Sequence, residues 1–509
     1  MIDLKKVVFI KNAMILTVSS LILRFLGIVF KVWLAAEIGP EGIGLYQIIF
    51  SVYMLASTFA VSGISTAVTR LIADELALGS KNGVLKILKR CILITCIIAL
   101  FSNLLLFFAA KPISIYILED IRAVNAIKIL SFSLPFMGIS SCLRGYFIAR
   151  RKAYPSAFSQ LFEQLVRIVV VLLLIKKFAN ISLDVTCAAV LLGDTLSEAA
   201  SLFLLVLIFS IDKKKLNSLK GRISPPFSIS RSVCRIALPI TSGRYLNMGL
   251  RTFENILVPK SLLSFNGKNS LAQFGMIKGM ALPILFFPST LLNSLSTLLI
   301  PEISEAAARK RGSLVKYASE KILQITSIIS FIFAAIFLCA GIQIGNVIYK
   351  SEDVGFLLCA LSPIVPFMYL DSVADGILKG LDQQNFCFKT GIFDSSLRIG
   401  LIMAILPFFG MKGFIAIMYF SNFLTCFLNI KRLIKISGAS IDILKTVLIP
   451  ICSAVIITLL IRGILSLIYL PDLVYIILLI IISIPLYFLF IFSFGCICAD
   501  DIRSVLPKK

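Results

Sequence analysis

The sequence contains no histidine. That absence removes histidine-ligated metal sites, serine–histidine and cysteine–histidine nucleophile pairs, and imidazole proton relays. Charge is scarce as well: 15% of residues carry one, against about 25% in soluble domains. No Gly-rich loop ends in Lys-Ser or Lys-Thr, so a phosphate cradle for ATP-driven work is missing. The 12 cysteines are scattered singly, and even Cys496 and Cys498 lack metal-ligand spacing, so they read as reduced apolar residues. The longest polar stretch, DKKKLNSLKGRISPP at 212–226, is basic and short for housing an active site. No enzyme is expected, and no cofactor or metal.

What is present is apolar surface, with 59% of residues hydrophobic. It falls in segments long enough to span about 30 Å of hydrocarbon, which takes roughly 20 residues each. Backbone groups in lipid must be satisfied within each segment, and these runs are too long for barrel strands. The expected fold is an all-α polytopic membrane protein of about fourteen transmembrane helices. They are expected to start near Asn12, Gly44, Ile87, Ala123, Ser156, Thr186, Ser232, Leu271, Tyr317, Gly355, Phe386, Gly413, Leu444 and Leu473. Gly39, Gly42 and Gly44 in GPEGIG read as a turn between the first two helices. Two deep cations interrupt the first helix, and it is too long for a cleavable signal core.

Alternate loops are basic. One side receives Lys5, Lys6 and Lys11, then Lys81, Lys86, Lys89 and Arg90, then ARRK ending at Lys152. It also receives the 212–222 stretch, ARKRG at 308–312, IKRLIK at 430–435, and the tail Lys508 and Lys509. The positive-inside rule makes that side and both termini cytoplasmic, which requires an even number of spans. The net charge of +24 is therefore an orientation signal, and no nucleic-acid partner is expected.

The halves of the chain echo each other. LILRFLGIVFK (21–31) matches TSGRYLNMGLR (241–251), so that Arg24 corresponds to Arg244 and Lys31 to Arg251. ISTAV (64–68) echoes LSTLL (295–299), and LRG (143–145) echoes LKG (378–380). LFEQLVRI (161–168) echoes IFDSSLRI (392–399), pairing Glu163 and Arg167 with Asp394 and Arg398. Matches in one order, offset by about 220–235 residues, indicate a duplication. Both repeats begin on the cytoplasmic side, hence parallel repeats related by a pseudo-two-fold along the membrane normal, an architecture of transporters. The expected divisions are an N-lobe at 1–211 (helices 1–6), a cytoplasmic linker at 212–230, a C-lobe at 231–438 (helices 7–12), and helices 13–14 with a tail at 439–509.

A charge near the middle of a spanning helix costs about 2.5–3.5 kcal/mol on insertion scales, so it faces a cavity or a partner. At about 1.5 Å per residue, Arg24 and Arg244 lie roughly 18 Å in, and Lys31 and Arg251 two turns further on the same faces. These four cations are expected to line a positive cleft that binds an anion. A guanidinium fork matches phosphate oxygens two at a time, so a phosphate or pyrophosphate is favoured.

Glu163/Arg167 and Asp394/Arg398 are opposite charges one turn apart, with the acid N-terminal, and are expected to neutralise each other. Glu254 is placed to do the same for Arg251. Asp194/Glu198 and Asp371/Asp375 are like-charged pairs at the same spacing, where one acid must hold a proton or share a cation. Lys379 is the cation available to Asp375. These groups are candidates for ion coupling. Arg144, near a cytoplasmic helix end, is expected to snorkel to the surface.

Four stretches carry a family resemblance: LILRFLGIVFKVWLAAEIGPEGIGLYQIIFSVYMLASTFAVSGISTAVTRL (21–71), LRGYFIARRKAYPSAFSQLFEQLVR (143–167), RYLNMGLRTFENILVP (244–259) and GMALPILFFPSTLL…LIPEISEA (279–306). In order and content they resemble the stage V sporulation protein B family of the multidrug, oligosaccharidyl-lipid and polysaccharide exporter superfamily. The resemblance implies two six-helix lobes around a central cavity, working by alternating access in a bacterial plasma membrane. It implies that the two C-terminal helices form a groove for a polyprenyl tail, as in lipid II flippases. It further implies transport of a lipid II-like peptidoglycan precursor for the spore cortex, a peptidoglycan polymerase as partner, and a monomeric chain among membrane lipids. By motif position, the cavity arginines essential in peptidoglycan flippases fall on Arg24, then on Arg244 and Arg251. Coupling to Na⁺, H⁺ or membrane potential stays open, although a histidine relay is excluded. Export of another lipid-linked oligosaccharide or polysaccharide precursor is the alternative. A cation-coupled drug antiporter fits less well, because its cavity should be net negative.

Overall fold

The computed structural model describes residues 2–61, 63–77, 81–178, 182–214, 226–266, 269–467 and 470–496. The basic stretch 215–225 and the tail lysines Lys508 and Lys509 lie outside the described residues, as do the side chains of Lys5, Lys6 and Lys11. Among the described residues there is no strand. The chain is a succession of helices: α1 (Ile2–Val61), α2 (Ile64–Ala77), α3 (Lys81–Pro112), α4 (Ala123–Ser131), α5 (Ser133–Ala149), α6 (Ala153–Phe178), α7 (Leu183–Lys214) and α8 (Pro226–Asn266). There follow α9 (Ser270–Gly275), α10 (Leu282–Phe286), α11 (Ser289–Ala308), α12 (Gly312–Tyr349), α13 (Glu352–Leu361), α14 (Val365–Gly380), α15 (Gln384–Ser437), α16 (Ile449–Ser466) and α17 (Asp472–Ser493).

Among the described residues, 10 helical segments are long and apolar enough to cross a membrane. The two longest, Met14–Ala77 and Gln384–Ser437, are broken by glycines at positive φ. Gly39 takes φ 73°, ψ 177° just before Pro40, and Gly410 takes φ 53°, ψ −136°. Those backbone conformations are open to glycine and strained for other residues. The turn expected over GPEGIG is therefore a one-residue break: helix resumes at once, and Gly42 and Gly44 are helical. Several helices begin earlier than hydropathy suggested, α6 at Ala153 and α12 at Gly312 for example. Hydropathy sees only the apolar middle of a helix, whereas the hydrogen-bonded ladder continues into its polar ends. Helix α8 is missing from the ten, because Arg231, Arg235, Arg244, Arg251, Glu254 and Lys260 dilute its apolar character.

By packing, the chain forms two units: Met1–Phe30 with Glu41–Pro259, and Lys31–Pro40 with Lys260–Lys509. Packing units and internal repeats are different partitions, and most of α8 sits in the first unit. There, α2, α3 and α5 close around Ile72, Leu88, Tyr146 and Phe147. The α5 backbone approaches α2 so closely that a Cβ at Gly145 would lie 2.8 Å from the Ser65 carbonyl oxygen. In the second unit α12 and α13 touch backbone to backbone, and a Cβ on Gly345 would meet Gly355 N at 2.5 Å. Lipid gives helices no hydrophobic reason to associate, so close contact through small residues does that work. The last two helices dock on α12: Gln324 donates to the Cys496 carbonyl at 2.7 Å, and the Tyr487 hydroxyl to the Ile328 carbonyl at 2.9 Å.

Candidate functional site

Helix α8 runs antiparallel to the 41–61 half of α1. The Ala237 carbonyl crowds Gly63, Tyr245 packs edge-on against Phe59 at 5.9 Å, and Gly249 faces Leu55. Further along, Thr252 donates to the Ser51 carbonyl at 3.0 Å and Asn255 to Ser51 Oγ at 2.9 Å. This fixes the roll of α8. Residues 237, 241, 245, 249, 252 and 255 form the packed stripe, and at 100° per residue Arg244 and Arg251 fall together on its flank.

Arg244 and Arg251 are exposed, and so is Arg24 on α1. Among the described residues, no hydrogen bond or ion pair reaches any of them, nor Lys31. Glu254 is buried one turn from Arg251 but is not its partner, so the neutralisation expected there does not form. Lys31 belongs to the second unit, where it is half-buried and within electrostatic range of Lys278, a like charge. The Lys278 ammonium lies 6.0 Å from the centre of the Phe414 ring.

The other intramembrane charges are treated differently. In the first unit Glu163 accepts from two arginines: Arg144 Nη2 at 2.7 Å on Oε2, and Arg167 Nη2 at 3.1 Å on Oε1. Arg167 Nε stands 2.7 Å from Asp194 Oδ1, and its Nη1 donates to Gln164 at 3.1 Å. Arg144 also donates to Ser201 at 2.9 Å. The expected Glu163–Arg167 pair is present. The Asp194/Glu198 pair is resolved by a shared cation on Asp194 alone. The snorkelling expected of Arg144 is wrong: its guanidinium turns inward along the helix bundle, because Glu163 and two serines offer it partners there that lipid headgroups would otherwise supply.

In the second unit, Lys379 caps Asp375 at 2.5 Å, the cation assignment made from spacing. Asn429 donates to Asp371 at 2.8 Å. Asp394 accepts from Ser421 at 2.5 Å, with Arg398 at 4.0 Å. Arg398 therefore stands off its acid, a looser version of the Glu163–Arg167 contact. Outside the spans, Arg122 is pushed above the usual arginine range by its hydrogen bond to Asp120, burial opposing, with Glu41 reinforcing it.

A sequence model described as polysaccharide biosynthesis protein matches residues 9–305, more than half of the chain. The chain belongs to that family. It is 29% identical over 419 residues to stage V sporulation protein B of Bacillus subtilis (strain 168), covering 80% of each protein. Its fold matches the solved inward closed conformation of the lipid II flippase MurJ with a TM-score of 0.70 at 16% identity, over 93% of this chain and 97% of that one. It also matches an inward-facing multidrug resistance MATE family transporter of the MOP superfamily, with a TM-score of 0.64 at 14% identity, over 85% and 99%. These solved neighbours are transporters, not enzymes, and their shared fold is the polytopic all-helical one expected here.

For this member of the polysaccharide biosynthesis family, two features escaped the sequence reading. Lys278 sits inside QFGMIKGMALP, where its one visible signal was a lone cation in an apolar run. Arg144 as the second partner of Glu163 had no sequence signal, since the contact joins helices whose relative roll is set by packing. Among the described residues the cysteines are free thiols.

Proposed function

We propose that this protein is a flippase that carries a lipid-linked, pyrophosphate-bearing peptidoglycan precursor from the cytoplasmic to the outer leaflet of a bacterial membrane. The observation that carries the reading is the contrast among its intramembrane charges. Arg144, Arg167 and Lys379 are matched to acids, whereas Arg24, Arg244 and Arg251 stand exposed with no hydrogen bond or ion pair among the described residues. A bare guanidinium against lipid is too costly to keep without a use, so these groups face water and an anionic cargo. Three forks of this kind match the oxygens of a pyrophosphate. The unpaired cations oppose the drug-antiporter reading, which needs net negative charge to hold organic cations.

The relatives support the rest. A lipid II flippase shares the fold, and a stage V sporulation protein is the 29% identical relative, so the cargo is read as a lipid II-like precursor for the spore cortex. Both termini face the cytoplasm, the two repeats form six-helix lobes, α16 and α17 receive the polyprenyl tail, and a peptidoglycan polymerase uses the delivered precursor. The second reading, export of another polyprenyl-pyrophosphate oligosaccharide, shares the anion site and differs in the sugar.

Reconstitution into liposomes with defined lipid-linked substrates decides between them. Translocation of lipid II and not of a sugar-only polyprenyl pyrophosphate is the expected result. Equal transport of both would favour the second reading, and transport unaffected by Arg24→Ala would remove the assigned site.

A further inference from the structure

We propose that Glu198 is a proton carrier, holding a proton within the ion network of the first unit and exchanging it with water during transport. The network has an odd charge count. Two guanidinium groups, Arg144 and Arg167, face three carboxyl groups, Glu163, Asp194 and Glu198. The geometry pairs both cations with other acids: Glu163 takes one nitrogen from each arginine, and Arg167 Nε stands 2.7 Å from Asp194 Oδ1 as an ion pair, leaving Asp194 Oδ2 without a hydrogen-bond partner. Glu198 receives neither. It is 8% exposed, and Oε2 has no hydrogen-bond partner.

The groups facing Glu198 come from each side of it. Asp194 lies one turn back on α7, Glu163 and Arg167 on α6, and Arg144 on α5. From α1, the Tyr53 hydroxyl is within electrostatic range, itself accepting from Ser133 at 2.7 Å. An ionised Glu198 would be a third negative charge among two positive ones, buried and without a donor. As a neutral acid it removes the excess charge and gains an O–H donor of its own.

A metal cation is a poorer occupant than a proton. Two guanidinium groups already stand beside the acids, so a further metal cation there would meet like charge. The exchange step is simple. When Arg144 or Arg167 shifts its bonds from Glu163 toward Glu198, the Glu198 O–H bond breaks, its electron pair stays on the carboxylate, and the proton passes to water. Return of the arginine reverses the step. Because Glu163 and Asp194 lose their partner in turn, loading is tied to the relative position of α5, α6 and α7.

The transport part of this proposal rests on the flippase reading; the proton itself does not. The experiment uses the full-length protein in liposomes, with two readouts. Infrared difference titration should show a protonated carboxyl band in the wild type and in Arg24→Gln, lost in Glu198→Gln. An imposed pH gradient at zero voltage should change the rate of lipid II translocation in the wild type and leave Glu198→Gln without response. Glu198→Asp, which keeps the acid, should restore both the band and the response, and it guards against a folding defect in the glutamine variant. A wild-type band in Glu198→Gln overturns the proposal. So does a rate that follows a Na⁺ gradient and ignores pH. If no lipid-linked substrate moves at all, the flippase reading falls while the infrared band still decides the proton.

Discussion

Arg144 on α5 donates from Nη2 to Glu163 Oε2 on α6 at 2.7 Å, and Glu163 is held from its other side by Arg167. One carboxylate thus pins two helices and two arginines. Each arginine is mostly covered, with side-chain exposures of 19% and 25%. Removing one partner of a buried pair leaves the other charge uncompensated, which costs about 3–5 kcal/mol, more than the pair itself contributes. Glu163 keeps Arg167 when Arg144 is gone, so Arg144→Met should destabilise the protein by less than that, about 1–3 kcal/mol for the lost hydrogen bonds to a charged group, measured by thermal unfolding in detergent. The double variant Arg144→Met/Glu163→Gln should recover a large part of the loss, since both orphans go together. Additive losses would show that the two residues are not coupled.

The opposite behaviour is expected of Arg24. It has no hydrogen bond or ion pair among the described residues, so Arg24→Gln breaks nothing that holds the fold, and its unfolding should stay within about 0.5 kcal/mol of wild type. Transport of a pyrophosphate-linked lipid should nevertheless collapse. Arg24→Lys should rescue it only in part, because a point charge replaces a fork that takes two oxygens at once. Equal activity of Arg24→Lys and wild type would mean that charge alone is used.

These two arginines also show what a reader of the sequence alone can and cannot see. Spacing carries information within a helix: the one-turn pairs Glu163–Arg167 and Asp375–Lys379 were legible because helical geometry puts them together whatever the fold. The long apolar runs were legible because a spanning helix needs an unbroken apolar stretch of about 20 residues, which is a local property of the sequence. Arg144 was misread because its partners lie on α6 and α7, and no local rule states how those helices are rolled. Hydropathy likewise missed that Gly39 alone breaks α1, because Gly42 and Gly44 look identical to it as letters. The helix expected near Ser232 was legible as well: it is α8, even though its cations dilute its apolar character.

Glycine positions separate two costs that a sequence cannot tell apart. At Gly345 the backbone conformation is ordinary, but a Cβ would fall 2.5 Å from Gly355 N and 2.7 Å from the Ser351 carbonyl oxygen. Backbone cannot swing away as a side-chain end can, so Gly345→Ala should cost about 1–3 kcal/mol through displacement of α12 from α13. At Gly39 nothing lies within 4 Å of the added Cβ, while φ is +73°. Gly39→Ala should cost about 1–3 kcal/mol by conformational strain alone, since φ 73° with ψ 177° is a region essentially reserved to glycine. A compensating change at Gly355 cannot help Gly39→Ala, and straightening of α1 should relieve it. Chemical shifts or cysteine accessibility around residue 39 would detect that straightening.

At the far end of α7, Asp212 gathers the loop between α5 and α6. Its Oδ2 accepts from Arg150 at 2.6 Å and from the Tyr146 hydroxyl at 2.9 Å, and its Oδ1 faces Lys152 at 2.5 Å. The acid is buried and Tyr146 is fully buried, whereas Lys152 is 42% exposed. The Lys152 contact is therefore worth little, screened as surface pairs are. The Arg150 and Tyr146 bonds end on a desolvated carboxylate, and hydrogen bonds to a charged group contribute about 1.5–3 kcal/mol. Asp212→Asn should release the loop by about 2 kcal/mol, which is roughly thirtyfold in the population of its open form, since 1.4 kcal/mol is tenfold. Trypsin reads that population directly, because its targets Arg150, Arg151 and Lys152 are the loop itself. Cleavage there should rise by that factor in Asp212→Asn and by far less in Lys152→Gln. Equal acceleration in the two variants would mean that the exposed ammonium, and not the buried bonds, holds the loop closed.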